Sequence, residues 1–173
     1  MKSYLTITFL IVNTAFSQEE WPTHGGDPGG MKYSTLDSIN RETITKLNQV
    51  WEWHTGDKPI PASRVAFAGQ DVKPGKFQGT PVMLDDTLFI ATSYSQVVAL
   101  SPSTGKELWR FDPRAYDWGM LARGCGFCHR GVAVWRDGNE LRVFINTRWR
   151  LIALDGRTGE PITSFGHQGE VDL

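Results

Sequence analysis

Both cysteines of the chain fall in one short stretch, "RGCGFCHRGVAVW" over residues 123–135, together with one of its four histidines. Cys125, Cys128 and His129 make a C-x-x-C-H run, the spacing at which two thioethers and an axial imidazole hold a c-type haem. Haem chemistry asks for more than a pentapeptide. It needs helices to wrap the porphyrin and, as a rule, a distal Met or His. Here the residues after His129 read as β structure, and no helical period flanks the motif. Among the methionines, Met1 would leave with a leader, Met83 sits in a strand pattern, and Met120 is too near in sequence to wrap a haem easily. A haem-bearing electron carrier is therefore the weaker reading of these residues. Two cysteines also leave a zinc site short of donors, and zinc is set aside.

The elements that must position this stretch are strands. Net charge is −1, with acids and bases well mixed, which argues against nucleic acid as a partner. Eighteen glycines and 12% aromatics suit a protein of tight turns and strands. Lys2 and the apolar run "YLTITFLIVNTAF" read as a signal peptide over residues 1–17, cleaved after Ser17. The run is shorter than the ~20 residues a spanning helix needs. Export to the periplasm or cell envelope would put the cysteines where a disulfide persists. After the Gly- and Pro-rich "WPTHGGDPGGMKYS", Asn40 with Glu42 and Thr43 is expected to cap one short helix carrying Ile44 and Leu47. "TPVMLDDTLFIATSYSQVVAL" predicts three strands, with turns at Asp85-Asp86 and Ser93–Gln96. "GVAVWRDGNELRVFINTRWRLIALD" repeats the theme around Asp137-Gly138-Asn139.

The strongest organisational signal is an internal repeat. "ALSPSTGKELW" (Ala99–Trp109) and "ALDGRTGEPIT" (Ala153–Thr163) share Ala, Leu, Thr and Gly in register, 54 residues apart. In each copy a strand ends in Ala-Leu and a turn closes on Thr-Gly, at Gly105 and Gly159. A period of that length, with about four strands per unit, is the signature of a β-propeller blade. The mature region, residues 18–173, holds about two blades, an incomplete ring.

Together these motifs resemble the N-terminal part of the quinoprotein dehydrogenases, which use pyrroloquinoline quinone (PQQ), and most of all their membrane-bound glucose and polyol dehydrogenase branch. The resemblance runs from about Trp21 to Leu173 and rests on "WPTHGGDPGGMKYSTLDSINRETITKLNQVWEWHTGD", "FQGTPVMLDDTLFIATSYSQVVALSPSTGKELWRFDP", "HRGVAVW" and "RLIALDGRTGEPITSFGHQGEVDL". It implies an all-β fold, the first blades of an eight-bladed propeller, with "ALSPSTGKELW" as a tryptophan-docking motif in which Trp109 packs on the neighbouring blade. Ser101 stands there where an acidic residue is usual, and the second copy has Thr163 in place of the Trp.

The function implied is oxidation of a sugar, polyol or alcohol with PQQ and calcium, and transfer of the electrons to a quinone or a cytochrome. Peripheral association with the membrane is implied as well. Arg130 matches the family's PQQ-contacting arginine, the natural partner for a cofactor with three carboxylates. Gln78 falls where alcohol-oxidising relatives carry a glutamate, and Thr147 lies near a threonine contact. His129 replaces the cysteine of the glucose branch and is expected to bond a PQQ carboxylate or quinone edge. Cys125 and Cys128 become a C-x-x-C disulfide at the cofactor rim. The family's catalytic base and calcium ligands lie downstream, so no base and no metal ligand is assigned. Asp112, Asp155 and Asp172 read as solvated turn residues, and His24, His54 and His167 receive no role. A non-enzymatic propeller scaffold with the same tryptophan repeat is the competing class, disfavoured by "HRGVA" and "FQGTP".

Overall fold

A computed structural model describes residues 20–65, 69–119 and 126–173. The expected signal peptide over residues 1–17 and Cys125 lie outside these residues. Eight strands form two four-stranded sheets. β1 (Val82–Leu84), β2 (Thr87–Ala91), β3 (Val97–Leu100) and β4 (Glu107–Phe111) make the first; β5 (Ala133–Asp137), β6 (Glu140–Thr147), β7 (Arg150–Asp155) and β8 (Glu170–Asp172) make the second. Strand order follows the sequence, and every pairing is antiparallel. Each sheet is thus a meander, closed by short turns except for the longer connection over residues 156–169 between β7 and β8. The Asp85-Asp86 turn between β1 and β2 has positive φ at both residues (50° and 51°), the geometry whose twist matches a two-residue hairpin.

Apolar alternation decides how the sheets stack. Phe89, Val97 and Ala99 of the first sheet share one buried cluster with Val143, Ile145 and Ile152 of the second. The opposite face of the first sheet presents Ile90, Val98 and Leu100 to Trp53. β3 is therefore covered on both faces, which is why its "VVAL" reads as an unbroken apolar run. The second sheet shows clean alternation in β6, where Leu141, Val143, Ile145 and Thr147 are buried and the residues between them are less so.

Two tryptophans lock the stack in the same way. The indole of Trp109 lies over Gly159, where an added Cβ would stand 2.6 Å from the ring, and its Nε1 donates to the Gly156 carbonyl at 3.1 Å. The indole of Trp51 lies over Gly105, where a Cβ would stand 2.5 Å from the ring, and its Nε1 donates to the Pro102 carbonyl at 2.9 Å. In both cases the accepting carbonyl is three residues before the glycine. Both glycines hold positive φ, 68° and 76°, and donate their N–H to the residue four before, Ser101 and Asp155, at 2.8 Å. The segment through Trp51 shares more with β4. Residues 49–53 and 107–111 alternate in exposure identically, with Trp51 and Trp53 standing where Trp109 and Phe111 stand.

The helix expected after Asn40 is only one 3-10 turn, Ile44–Lys46. Asn40 does not cap it: Thr43 stands at the N-cap position with no side-chain cap bond, and the Asn40 side-chain oxygen instead closes the turn ahead of it, accepting the N–H groups of Glu42 at 2.9 Å and Thr43 at 3.1 Å. Ile44 and Leu47 stay exposed, so no buried apolar stripe exists to extend the helix. Upstream, Trp21 exchanges both backbone bonds with Met83 at 2.9 and 2.8 Å, an isolated antiparallel bridge alongside β1.

Gly159→Ala is expected to destabilise the chain by about 3 kcal/mol in denaturant unfolding, since it adds left-handed strain and displaces the indole. Gly138→Ala, at φ 52° with open space around it, is expected to cost only the strain, about 1 kcal/mol. Equal losses would show that indole docking contributes nothing. A second expectation concerns the two repeats. Asp155 Oδ1 accepts the N–H groups of Arg157 at 2.8 Å and Thr158 at 2.9 Å, whereas the Ser101 hydroxyl bonds Ser103 Oγ instead. Ser101→Asp should therefore raise stability by about 1 kcal/mol, read as a higher denaturation midpoint.

Candidate functional site

The first strands of the two sheets, β1 and β5, touch each other, and the segments leading into them form a cleft. Thr80 N–H donates to the Arg130 carbonyl at 2.8 Å, and an added Cβ on Gly131 would stand 3.0 Å from the Thr80 carbonyl. Only a residue without a side chain lets the two segments approach so closely. The cleft holds about 480 Å3 and is lined by Gln78, Thr80 and Val82 on the β1 side, Arg130, Gly131 and Val132 on the β5 side, and His24. Its polar groups are a guanidinium, a carboxamide, a hydroxyl and an imidazole. The Arg130 side chain is exposed and engages no described residue, so its five donors are open to a ligand. This set suits an anionic ligand with planar carboxylates.

The remaining expected residues sit around this cleft rather than in it. Thr147 ends β6 with 3% exposure, and it is absent from the described lining. His129 is half-buried: Gly131 N–H donates to its Nδ1 at 3.2 Å, and its Nε2 bonds the Asn146 carbonyl at 2.8 Å. Both ring nitrogens are thus spent on backbone, and the expected bond from His129 to a cofactor is not available in this arrangement. Cys128 is disulfide-bonded, while Cys125 lies outside the described residues. A thiol held in a disulfide cannot form a thioether, and an imidazole with both nitrogens bonded offers no lone pair to iron. The haem reading of the motif loses its chemistry on both counts. His24 was given no role from the sequence because it sits in a glycine-rich turn, yet it lines the cleft.

The long connection from β4 to β5 carries this wall, and the β6–β7 hairpin holds it. Arg148 donates from Nε to the Ala115 carbonyl at 2.7 Å and from its terminal nitrogen to the Gly119 carbonyl. Trp149 meets Trp118 edge-on at 5.0 Å, and Arg150 donates to the Pro113 carbonyl at 2.7 Å. Burial, and secondarily the neighbouring Arg150, pull the Arg148 guanidinium below its ordinary pKa. Farther along, Gly75 N–H donates to the Phe127 carbonyl at 2.8 Å, and the Phe127 ring packs against Tyr94 at 5.2 Å and under Arg148 at 5.5 Å. The Tyr94 hydroxyl reaches the carbonyls of Lys58 and Val72, each at 3.0 Å. Burial first, then the nearby Asp57 and Tyr116, push its pKa up to about 12, so it stays a neutral donor. Asp112, read as solvated, instead accepts from Tyr116 at 2.8 Å and from Gln96 at 3.0 Å and ties the connection to the first sheet. No group of three or more His, Cys, Asp or Glu among the described residues is placed to hold a metal ion.

With this geometry in place, the comparisons with known proteins are specific. The chain is 30% identical to quinoprotein glucose dehydrogenase A of Acinetobacter calcoaceticus, over 91% of this chain and 21% of that protein. It is 30% identical to the glycerol dehydrogenase large subunit of Gluconobacter thailandicus, over 89% of this chain and 20% of that protein. The chain therefore spans about a fifth of the length of these curated relatives. The crystal structure of quinohemoprotein alcohol dehydrogenase from Comamonas testosteroni superposes with a TM-score of 0.61 at 28% identity, covering 87% of this chain and 19% of that one. The two sheets are accordingly blades of a propeller of the quinoprotein dehydrogenase kind. The family model for the PQQ-type glucose/ethanol/alcohol dehydrogenase β-propeller domain matches residues 21–173, and the chain belongs to that family.

Proposed function

We propose that this chain forms the N-terminal blades of a PQQ-dependent dehydrogenase that oxidises a CH–OH group of a sugar, polyol or alcohol. The observation that carries this reading is the free Arg130 guanidinium, which lines with Gln78 a cleft of about 480 Å3 at the starts of β1 and β5. Arg130 would hold a carboxylate of PQQ through paired N–H donors, and Gln78 would add an uncharged amide bond. Close backbone contact through Gly131 fixes the wall that presents Arg130. PQQ held there would supply a two-electron acceptor for oxidation of the CH–OH group. This chain's part is to bind and orient the cofactor. The base that removes the hydroxyl proton and the ligands of a calcium ion are proposed to come from polypeptide outside these 173 residues. Electrons would pass to a quinone or a cytochrome, and export through residues 1–17 would place the protein in the periplasm. A propeller that served only as a scaffold would have no use for an unpaired arginine and an amide lining one cleft.

Titration of the complete gene product with PQQ tests the site. Arg130→Ala is expected to weaken binding by about 10- to 100-fold, the worth of a charge-assisted bond. Arg130→Lys should recover only part, because an ammonium lacks the planar fork. Unchanged affinity in Arg130→Ala would remove the assignment. The 173-residue chain by itself is expected to give no PQQ-dependent dye reduction with glucose, glycerol or ethanol, and measurable reduction would refute the placement of the catalytic groups elsewhere.

A further inference from the structure

His129 stands beside Arg130 but spends both ring nitrogens on backbone, and its partners select a tautomer. Gly131 N–H can only donate, so Nδ1, which it meets at 3.2 Å, must carry the lone pair. The Asn146 carbonyl can only accept, so Nε2, at 2.8 Å, must carry the proton. These two partners together fit the Nε2–H tautomer. An imidazolium would turn a second donor on the Gly131 N–H.

The same two bonds bracket Arg130. One closes a loop across it, from the side chain of residue 129 to the backbone of residue 131. The other ties that loop to Asn146 near the end of β6, a strand in the middle of the second sheet. The Arg130 carbonyl is itself taken by Thr80 N–H at 2.8 Å, from the segment that leads into the first sheet. The backbone around Arg130 is thus held from both sheets, while its side chain is left free. A ligand that pairs with a guanidinium on a fixed stem loses less conformational entropy than one that must first order it.

We propose that His129 is a positioning residue, a two-ended clamp that presets Arg130 for an anionic cofactor without touching that cofactor. The role rests on the reading that the cleft takes PQQ. In the 15N spectrum of the cofactor-free complete protein, His129 should show a protonated Nε2 and an unprotonated Nδ1, and the opposite tautomer would overturn the clamp whatever the cleft binds. In PQQ titrations, His129→Ala is expected to weaken binding about tenfold, the worth of two neutral hydrogen bonds. His129→Asn can still accept the Gly131 N–H in an Asx turn but cannot reach Asn146, and it should fall between. It also carries the comparison if the alanine variant does not fold. The double variant gives the sharpest reading. In an Arg130→Ala background, His129→Ala should change affinity less than twofold, because a positioning residue has nothing left to position. A full tenfold loss in that background would mean that His129 acts on the ligand by another route, and the proposal would fall. Wild-type protein that takes up no PQQ would end the cofactor reading and this role together, whereas a His129→Ala variant that binds as tightly as wild type would end this role alone.

Discussion

An indole seated over a bare glycine is the contact on which the stacking of this chain depends. A sheet four strands wide buries its faces only against its neighbours, so something must set the angle and register at which the sheets meet. Trp109 over Gly159 does this between the two sheets, and Trp51, from a segment outside both sheets, repeats the geometry over Gly105. Each couples a close apolar contact to one directed bond, from the indole nitrogen to a carbonyl three residues before the glycine. The bond makes the contact specific, since a ring that slid along the sheet would strand a buried donor. Positive φ at the glycine does the rest: it turns the chain sharply enough to leave a flat seat for the ring.

The turn half of this device was legible in the sequence, because Thr-Gly recurs in register within each repeat. The docking half was only partly so. Trp109 belongs to the motif that contains Gly105, yet it serves Gly159 in the next copy, so the contact joins residues fifty positions apart. Trp51 escaped notice for a related reason. It precedes the first full repeat, and nothing within its own segment marks it as the equivalent of Trp109. The strands themselves were easy to see, because turn residues and apolar alternation are local signals. The Asn40 segment makes only a turn and one 3-10 turn, because an Asx-type bond to Glu42 and Thr43 can form where no apolar face exists to stabilise a longer helix.

The site shows the same division. Arg130 and Gln78 were found through resemblance, and they line one cleft even though 52 residues separate them in the chain. His24 could not be found, since a histidine in a glycine-rich turn carries no local signal of where the turn folds back. The C-x-x-C-H run misleads in an instructive way. A pentapeptide records spacing but not partners, and here the partners decide: a cystine at Cys128, and two backbone groups on His129. The residue types that suggested redox chemistry are engaged in holding a wall.

That wall links the cleft to the docking contacts. The cleft exists only where the starts of β1 and β5 come together, one from each sheet, so its width is set by how the sheets stack. The Thr80-to-Arg130 bond crosses the junction directly. Arg148, Trp149 and Arg150 reach back from the second sheet to the connection that leaves the first. A shift of one sheet against the other would stretch these bonds together, because packed sheets move as units and side chains between them cannot flow to compensate. Guanidinium placement is therefore a property of the stacked pair and of neither sheet alone. The Trp109 indole, docked on the second sheet away from the cleft lining, thus shares in setting where the charge of Arg130 is held.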